Sequence, residues 1–383
     1  MADAQTYFRA HRSQLLPALT AVMEATDGKS KIPILSNVLM KPMGDQLLLR
    51  GTNLDIEIEA TCDLLEAFSQ EPISLKASDL RDIVKNMPEA AEIEFAPGRF
   101  PGQVAVTSGR ARFSIFCLPE KDFPSISGHL AGEAFEVDMP RLSDAIRKVL
   151  YAVDKTDTKR FHYEGVYIHP NETGDGLSVA AADGRALAVV RMKTLTRAAF
   201  KGVIMPARTV AAIRKLMGES KRPGQLTISE HMIRIECNGV TILSKLIEAV
   251  FPPNYATLLQ SSGETKAIAP VDAVQAAVSR VLLVSNEARF DGVRLSFEKD
   301  AMRLELATQQ GETASDVVPV EYTGDPDFSV GFNGVLMAGM LGSIASQDVE
   351  ITFSGDRGQA LFRPMADVEE YYVMSPMAAK GAN

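Results

Sequence analysis

A chain of 383 residues, 46% of them hydrophobic and 23% charged, is long enough for several folded domains, and this composition excludes a disordered or fibrous protein. Its formal net charge of −9 means that binding to a polyanion requires a local concentration of basic groups. The N-terminal stretch lacks the order of a signal peptide, and the longest apolar run, residues 334–345, is too short and glycine-rich to cross a bilayer. The three scattered cysteines show neither disulfide nor metal spacing, so we expect a protein of a reducing cytoplasm without a metal or other cofactor.

Six helices are predicted, and they form two series along the chain, of which the first has amphipathic patterns. Helices with apolar residues at three-to-four spacing begin at Arg12, Pro140 and Pro270. A second helix follows each of them, beginning at Lys76, Pro206 and Phe332. The second helices are offset by 130 residues (206 − 76) and 126 residues (332 − 206), which indicates an internal repeat.

Between the helices of each pair lie segments that are typical of half-buried antiparallel strands, such as residues 46–61, 177–192 and 302–320. In the first of these, Leu54, Ile56 and Ile58 are predicted to face the core, and Asp55, Glu57 and Glu59 to face solvent. A repeat of this length is a domain rather than a solenoid unit. We therefore predict three domains, each with its own core, over residues 1–130, 131–258 and 259–383.

Charge is distributed unevenly over these segments. Residues 1–130 hold 13 basic and 17 acidic residues, residues 131–260 hold 18 and 14, and residues 261–383 hold 9 and 18. In the middle segment, Lys148, Tyr151 and Lys155 are predicted to lie opposite the apolar stripe of the first helix, with Arg147 beside them. On the second helix, the predicted outward residues are Arg208, Ala212 and Lys215. A solvated helix face is the ordinary explanation, but the shortage of neighbouring carboxylates favours a surface for a polyanion.

Geometry limits how three such domains could enclose nucleic acid. A 128-residue domain approximated as a sphere is ~36 Å across. Three spheres in a ring leave a hole of only ~6 Å, whereas six leave ~36 Å, enough for a duplex. Enclosure therefore requires two chains joined head to tail, and an open groove remains the alternative.

Two other classes of protein are weighed against this reading. An enzyme is disfavoured because the sequence has no glycine-rich phosphate loop, no His-Glu-x-x-His motif and no nucleophile elbow. A non-DNA scaffold of three modules would not need the clustered cations of the middle segment.

The chain resembles the bacterial sliding clamp family, the β subunits of DNA polymerase III. The motifs that carry the resemblance are KIPILSNVLM (31–40), GRARFSIFCLPEKDFP (109–124), KRFHYEGVYIH (159–169), VAAADGRALAVV (179–190), SKLIEAVFPPNY (244–255), VSNEARFDGVRL (284–295), VGFNGVLM (330–337) and YYVMSPM (371–377). The resemblance implies an α+β fold of three repeated clamp domains, with antiparallel sheets outside and helices lining a central channel in a head-to-tail dimeric ring. It implies a non-catalytic processivity factor that holds duplex DNA without reading its sequence. The implied protein partners, polymerase and clamp-loader subunits, bind through short peptide motifs, and no membrane is involved.

The same resemblance implies three sets of site residues. The DNA-facing set is Lys29, Lys85, Arg147, Lys148, Arg160, Phe161, His162, Arg208 and Lys215. The partner-peptide pocket is Tyr163, Ala182, Gly184, Arg185, Leu187, Pro252, Leu258, Val373, Pro376 and Met377. The dimer joint is Phe113 and Ile115 against Leu283 and Val284, with Arg110 and Arg112 able to pair with Glu312 and Asp316.

The sequence departs from the family pattern in the pocket. Arg185 and Ala186 stand where the family commonly has His and Arg, and Thr257 stands where Arg is common. Ser375 replaces a Met, and the chain ends in an unusual AAKGAN tail. A clamp paralogue with an altered partner pocket, either specialised for one polymerase or of phage or plasmid type, therefore stays open as an alternative.

Overall fold

A computed structural model of the chain describes residues 6–126, 130–156, 159–260, 263, 265–285, 292–354, 359–366 and 369–379. The helices are α1 (Arg12–Met23), α2 (Ala77–Lys85), α3 (Met139–Val149), α4 (Ala207–Met217), α5 (Val271–Val281) and α6 (Gly334–Leu341). They lie at the six predicted places, so the helix predictions are confirmed. Among the described residues, no helix has both the length and the apolar character needed to cross a membrane.

Local sequence signals explain where these helices begin. Proline stands at or next to the start of the three helices α3, α4 and α5, where its fixed φ is favourable and its missing N–H costs nothing. The start of α6 is capped by Asn333, whose side-chain oxygen accepts a 3.0 Å hydrogen bond from the N–H of Leu336. At the C-terminus of α2, the Arg12 guanidinium donates hydrogen bonds of 3.1 Å to the carbonyls of Val84 and Lys85, which satisfies carbonyls that lack a partner within the helix.

Strand pairing produces three antiparallel sheets. The first has 13 strands, in the order β10-β15-β16-β17-β4-β3-β2-β6-β9-β8-β7-β1-β5. Its strands are β1 (Phe8–His11), β2 (Asn37–Met43), β3 (Gln46–Thr52), β4 (Ile56–Asp63), β5 (Glu66–Ala67), β6 (Ile73–Lys76), β7 (Glu92–Pro97), β8 (Gln103–Ser108), β9 (Ala111–Leu118), β10 (Ala134–Val137), β15 (Gly224–Ile228), β16 (Met232–Cys237) and β17 (Val240–Lys245).

The second sheet has nine strands, in the order β14-β11-β12-β13-β26-β25-β24-β18-β22, and the third has four, β21-β20-β19-β23. Their strands are β11 (Gly165–Pro170), β12 (Gly176–Ala182), β13 (Ala186–Lys193), β14 (Val203–Pro206), β18 (Thr265–Pro270), β19 (Gly292–Glu298), β20 (Ala301–Ala307), β21 (Thr313–Pro319), β22 (Glu321–Thr323), β23 (Ser329–Asn333), β24 (Asp348–Phe353), β25 (Ala360–Pro364) and β26 (Glu370–Met374).

The chain divides into two compact units. The first unit comprises residues 1–140 and 211–246, and the second comprises residues 141–210 and 247–383. The sheets cross the predicted domain limits, because β17 pairs with β4 and β13 pairs with β26. These pairings cover strands that would otherwise be open edges. The middle segment thus contributes strands to two sheets, and the three domain boundaries remain a prediction.

The predicted strand at residues 54–59 needs correction. Leu54 adopts a left-handed φ of +79° and lies before β4 begins, so it is a turn residue rather than a core-facing strand residue. Glu57 is buried, not solvent-facing, and its carboxylate accepts a 3.2 Å hydrogen bond from the N–H of Ile126. Burial raises the pKa of the Glu57 carboxyl against the lowering effect of Arg50.

A buried ion pair ties α3 to the last strand of the second unit. The Lys148 ammonium lies 2.7 Å from Oε1 of Glu370, and their side chains are only 10% and 6% exposed. The other carboxylate oxygen of Glu370 accepts a 2.9 Å hydrogen bond from the Tyr372 hydroxyl. Both charges are therefore compensated, which is what allows them to be buried.

Removing one partner of this pair should be costly. We expect Glu370→Gln to destabilise the protein by about 3 kcal/mol, because it leaves a buried ammonium without its closest carboxylate. The midpoint of urea unfolding measures the loss. The double variant Lys148→Met/Glu370→Leu should recover most of it, since no isolated charge remains, and equal losses in the single and double variants would contradict this account.

Candidate functional site

Three of the predicted DNA-facing cations lie in the first unit, and all three are exposed. Lys29 is in the turn that follows α1, Lys85 is the last residue of α2, and Lys215 is on α4. The Lys215 ammonium lies 2.6 Å from Oε1 of Glu24. The sequence of α4 carries no carboxylate, but Glu24 at the end of α1 supplies one to Lys215.

In the second unit, the predicted cations of α3 differ in their surroundings. Arg147 is partly exposed, and its guanidinium donates two hydrogen bonds, at 3.0 and 2.8 Å, to Oδ1 of Asp144. Lys148 is buried, so its predicted position on the solvated face is wrong. The physical reason is its pairing with Asp144 at 2.8 Å and with Glu370 at 2.7 Å.

The neighbouring Tyr151 is also misplaced by the prediction. Its hydroxyl is buried, without a hydrogen-bond partner in the described part of the chain, and burial raises its pKa. Its side chain packs against α6: a Cβ added at Gly339 would lie 2.9 Å from the Cβ of Tyr151. A long side chain such as lysine or arginine therefore does not fit at position 339 of α6.

The outward face of α4 is rotated relative to the prediction. Ala212 is only 2% exposed, whereas Ala211 is exposed together with Arg208, Arg214 and Lys215. The prediction failed because alanine carries no information about which side of a helix is buried. Arg214 is therefore an outward cation that the predicted set missed, although its place on the same helix could have suggested it.

The segment around Arg160 is organised by a buried carboxylate. Asp154 accepts hydrogen bonds from the backbone N–H of Thr156 at 2.9 Å and from the Arg160 guanidinium at 2.7 Å. Phe161, His162 and Tyr163 form one short helical turn. Phe161 is 56% exposed, whereas His162 is partly buried and its ring centroid lies 4.1 Å from that of Tyr163. Residues 157 and 158, between Lys155 and Lys159, lie outside the described residues.

Arg160 also touches residues of the predicted peptide pocket. Its guanidinium lies 5.3 Å above the ring of Tyr163. Gly184, at φ +87°, packs so closely that an added Cβ would lie 3.0 Å from Nη1 of Arg160. The structure therefore places Arg160, which was predicted only as a DNA contact, beside the pocket.

Three antiparallel strands bring the apolar pocket residues together. Leu187 on β13 is paired with Ala182 on β12 and with Val373 on β26. All three belong to one buried cluster, against which the ring of Tyr163 packs. The cluster also contains Tyr255 and Leu259 of a 3-10 segment, Tyr255–Gln260, whose Leu258 is 37% exposed.

The remaining pocket residues lie at different places around this cluster. Pro252 is partly buried and precedes the 3-10 segment, while Arg185 is exposed in the turn before β13. The carbonyl of Arg185 accepts a 2.7 Å hydrogen bond from the N–H of Ser375. Pro376 and Met377 instead line a groove of about 500 Å³ with Arg294 and Gly331, outside the buried cluster.

The predicted joint residues of the first unit lie on β9. Along residues 111–116 this strand pairs with β8, whereas its pairing with β6 is confined to Cys117 and Leu118. Phe113 is 40% exposed, but Ile115 is only 9% exposed, so Ile115 contributes little apolar surface. The exposed residue that the prediction missed is Phe116, at 72%. Arg110 and Arg112 are both exposed.

The predicted joint residues of the second unit lie in the 3-10 turn after α5 (Leu282–Val284) and on or just before the edge strand β21. Leu283 is 83% exposed and Val284 is partly buried. Glu312 is exposed, whereas Asp316 already pairs with Arg280 at 2.5 Å. That hydrogen bond from Arg280 lowers the pKa of the Asp316 carboxyl and keeps it charged.

No metal-binding cluster of three or more His, Cys, Asp or Glu side chains occurs among the described residues. The cysteines at positions 62, 117 and 237 are unpaired thiols, and burial raises the pKa of Cys62 to about 12. Such a thiol is a poor nucleophile at neutral pH.

Comparisons with known proteins agree along the whole chain. Models of the N-terminal, central and C-terminal domains of the DNA polymerase III beta subunit match residues 6–127, 136–253 and 256–378. The beta sliding clamp of Caulobacter vibrioides is 30% identical over 373 residues, which are 96% of this chain and 98% of that protein. The beta sliding clamp of Vibrio cholerae is 28% identical over 371 residues, covering 97% and 99%.

Solved structures show the same similarity. The DNA polymerase sliding clamp from Caulobacter crescentus superposes with a TM-score of 0.91 at 29% identity, covering 97% of this chain and 99% of that one. The sliding clamp from Pseudomonas aeruginosa with a ligand gives a TM-score of 0.90 at 27% identity, covering 97% and 100%.

The role of Asp154 in holding the Arg160 segment can be tested by proteolysis. We expect Asp154→Asn to accelerate tryptic cleavage after Lys155, Lys159 or Arg160 about tenfold, because the loss of a charge-assisted hydrogen bond to a buried group favours local opening by roughly 1.5–3 kcal/mol. Mass spectrometry of early digestion products measures the rate.

The matched control is Asp175→Asn, which removes a carboxylate that accepts a 2.6 Å hydrogen bond from the Asn171 side chain in an exposed turn. It should leave cleavage after residues 155–160 unchanged. Equal acceleration by both variants would mean that general destabilisation, not Asp154, governs this segment.

Proposed function

The chain belongs to the family of DNA polymerase III beta subunits, the beta sliding clamps, and from this we propose that it works as a DNA sliding clamp. Two copies join head to tail into a ring that encircles duplex DNA and tethers a polymerase to it. The chain performs no chemical step in this role. The succession of three clamp domain matches along nearly the whole chain is the observation that carries the proposal.

The proposed DNA contacts are seven exposed or partly exposed cations, together with Phe161 and His162 beside Arg160. The cations are Lys29, Lys85, Arg147, Arg160, Arg208, Arg214 and Lys215. Lys148 is left out because its ammonium is buried against Glu370. Lysine and arginine contacts to phosphates are independent of base sequence, so they permit binding at every position along a duplex.

The proposed joint uses one strand edge from each unit. Among the described residues, residues 111–116 of β9 pair with a strand on one side only, as does β21, so a second copy can pair with their other edges. Phe113 and Leu283 supply exposed apolar surface. Arg110 and Arg112 are exposed, and we propose that they face Glu312 and Asp316 of the other copy, where Asp316 must first release Arg280.

The proposed partner pocket is the surface over the buried cluster of Leu187, Val373 and Tyr255. An apolar cluster of this kind suits the hydrophobic anchors of a short peptide tail, since a few buried residues carry most of the affinity in such contacts. Polymerase and clamp-loader subunits are the proposed owners of these tails. Arg185 is exposed beside the cluster and is placed to select among them.

Encirclement differs from ordinary surface binding because a ring leaves DNA only at a free end. When the protein is mixed with a linear plasmid and the DNA ends are then joined by ligase, we expect it to stay on the resulting circle through gel filtration at about 0.2 M salt, where surface phosphate contacts are weakened. A single restriction cut should release it within minutes, because a ring slides off a free end. Equal lifetimes on circular and linear DNA would rule out the ring.

The apolar contact of the joint gives a second prediction. We expect Leu283→Asp to convert a dimer into a monomer without unfolding, since Leu283 is 83% exposed and a charge there opposes burial in the joint. Molar mass from light scattering, with 41.5 kDa for one chain, measures the change.

The control is Val250→Asp, because Val250 is 81% exposed but lies outside the proposed joint. It should leave the dimer intact. A dimer that survives Leu283→Asp would contradict the proposed joint, and a wild-type protein that is monomeric at high concentration would contradict the ring itself.

A further inference from the structure

The exposed cations proposed to face DNA include three that are already bound to carboxylates of their own unit. Lys215 is paired with Glu24, Arg147 with Asp144 and Arg160 with Asp154. In each pair the carboxylate takes up one or more N–H donors of the cation and offsets its charge. A phosphate therefore competes with the carboxylate for the cation.

The pair of Lys215 and Glu24 links distant parts of the first unit. Glu24 follows the last residue of α1, Lys215 lies on α4, and the two residues are 191 positions apart in sequence. The Lys215 side chain is 56% exposed and that of Glu24 is 31% exposed. Ion pairs with this exposure are weak and exchange readily, so the lysine is restrained but not sequestered.

The pair of Arg147 and Asp144 differs from that of Lys215 and Glu24, because a second cation, Lys148, holds the Asp144 carboxylate in place. Oδ2 of Asp144 lies 2.8 Å from the ammonium of Lys148, and that ammonium is itself fixed 2.7 Å from Glu370. Burial works to raise the pKa of Asp144, but the hydrogen bonds from Lys148 and Arg147 lower it overall, so the carboxylate is charged at neutral pH. Arg147, at 38% side-chain exposure, is the mobile partner.

We propose that Glu24 and Asp144 are positioning residues that limit the grip of Lys215 and Arg147 on the phosphate backbone. The proposal rests on the proposed clamp function. Exchange of a carboxylate for a phosphate replaces one ion pair with another, so each contact yields little net free energy and releases fewer counterions than a free cation would. Weak, replaceable contacts favour sliding over stalling at one site.

Salt-dependent binding to a short duplex tests the proposal without a loading enzyme, because a linear duplex can enter a closed ring from its end. Fluorescence anisotropy with a labelled duplex of about 30 base pairs, over 50–200 mM salt, gives Kd and its salt slope. We expect Glu24→Gln to lower Kd at 50 mM salt by about three- to tenfold and to steepen the slope of log K by about 0.9, the value of one added phosphate contact.

Two control variants identify the cause. Glu236→Gln removes the same charge in the same unit and frees Arg234, which pairs with Glu236 at 2.6 Å on β16, a strand rather than a proposed DNA-facing helix. It should leave the slope at the wild-type value. In a Lys215→Gln background, Glu24→Gln should have no effect, because its action passes through Lys215.

The outcomes separate this inference from the proposed function. A wild-type protein that binds no duplex at 50 mM salt contradicts the clamp function itself. A wild-type protein that binds, together with a Glu24→Gln variant of unchanged slope, overturns the inference alone. A steeper slope that also appears in Glu236→Gln, or that persists without Lys215, overturns it as well, since net charge would then be the cause.

Discussion

The pairing of β13 with β26 is the interaction on which the site in the second unit depends. It places Val373 opposite Leu187 and so forms the floor of the apolar cluster. The same strand carries Glu370, whose carboxylate neutralises Lys148 on α3. A segment from the end of the chain thus completes a sheet begun some 180 residues earlier, since β13 would otherwise be an open edge. The apolar cluster and the position of α3 both require this one ladder.

Two adjacent cations show how a contact between distant parts of the sequence decides which side chain is exposed to solvent. Arg147 and Lys148 stand next to each other on α3, yet the first is partly exposed and the second is buried. Glu370, 222 residues away, holds the lysine in the interior. The buried lysine in turn fixes Asp144, which restrains the arginine. A buried charge therefore still governs the surroundings of an exposed one, the proposed DNA contact Arg147.

The sequence predicts those features that depend on residues close together along the chain, such as the positions of helices and strands. Apolar spacing and prolines at their starts located the helices, and the alternation of Ile56 and Ile58 located a strand. It did not predict that Glu57 and Lys148 are buried, because their partners Ile126 and Glu370 are not their neighbours along the chain. Nor did it orient α4, where alanines at 211 and 212 give no apolar contrast. The motifs brought Leu187 and Val373 into one predicted pocket, but they did not indicate that Arg160 lies against it.

The uneven charge of the three repeats follows from different packing demands. In the middle segment, the outward positions of α4 are solvent-exposed, so arginine and lysine are accommodated at no cost in burial. In the last segment, Gly339 of α6 meets the Cβ of Tyr151 so closely that no side chain fits. Packing therefore closes position 339 of α6 to a basic side chain, although it does not close position 335, where Val335 is 42% exposed. A ring made from this chain would hold DNA mainly through its first and middle repeats, and the acidic third repeat would supply the joint and part of the pocket rather than the grip.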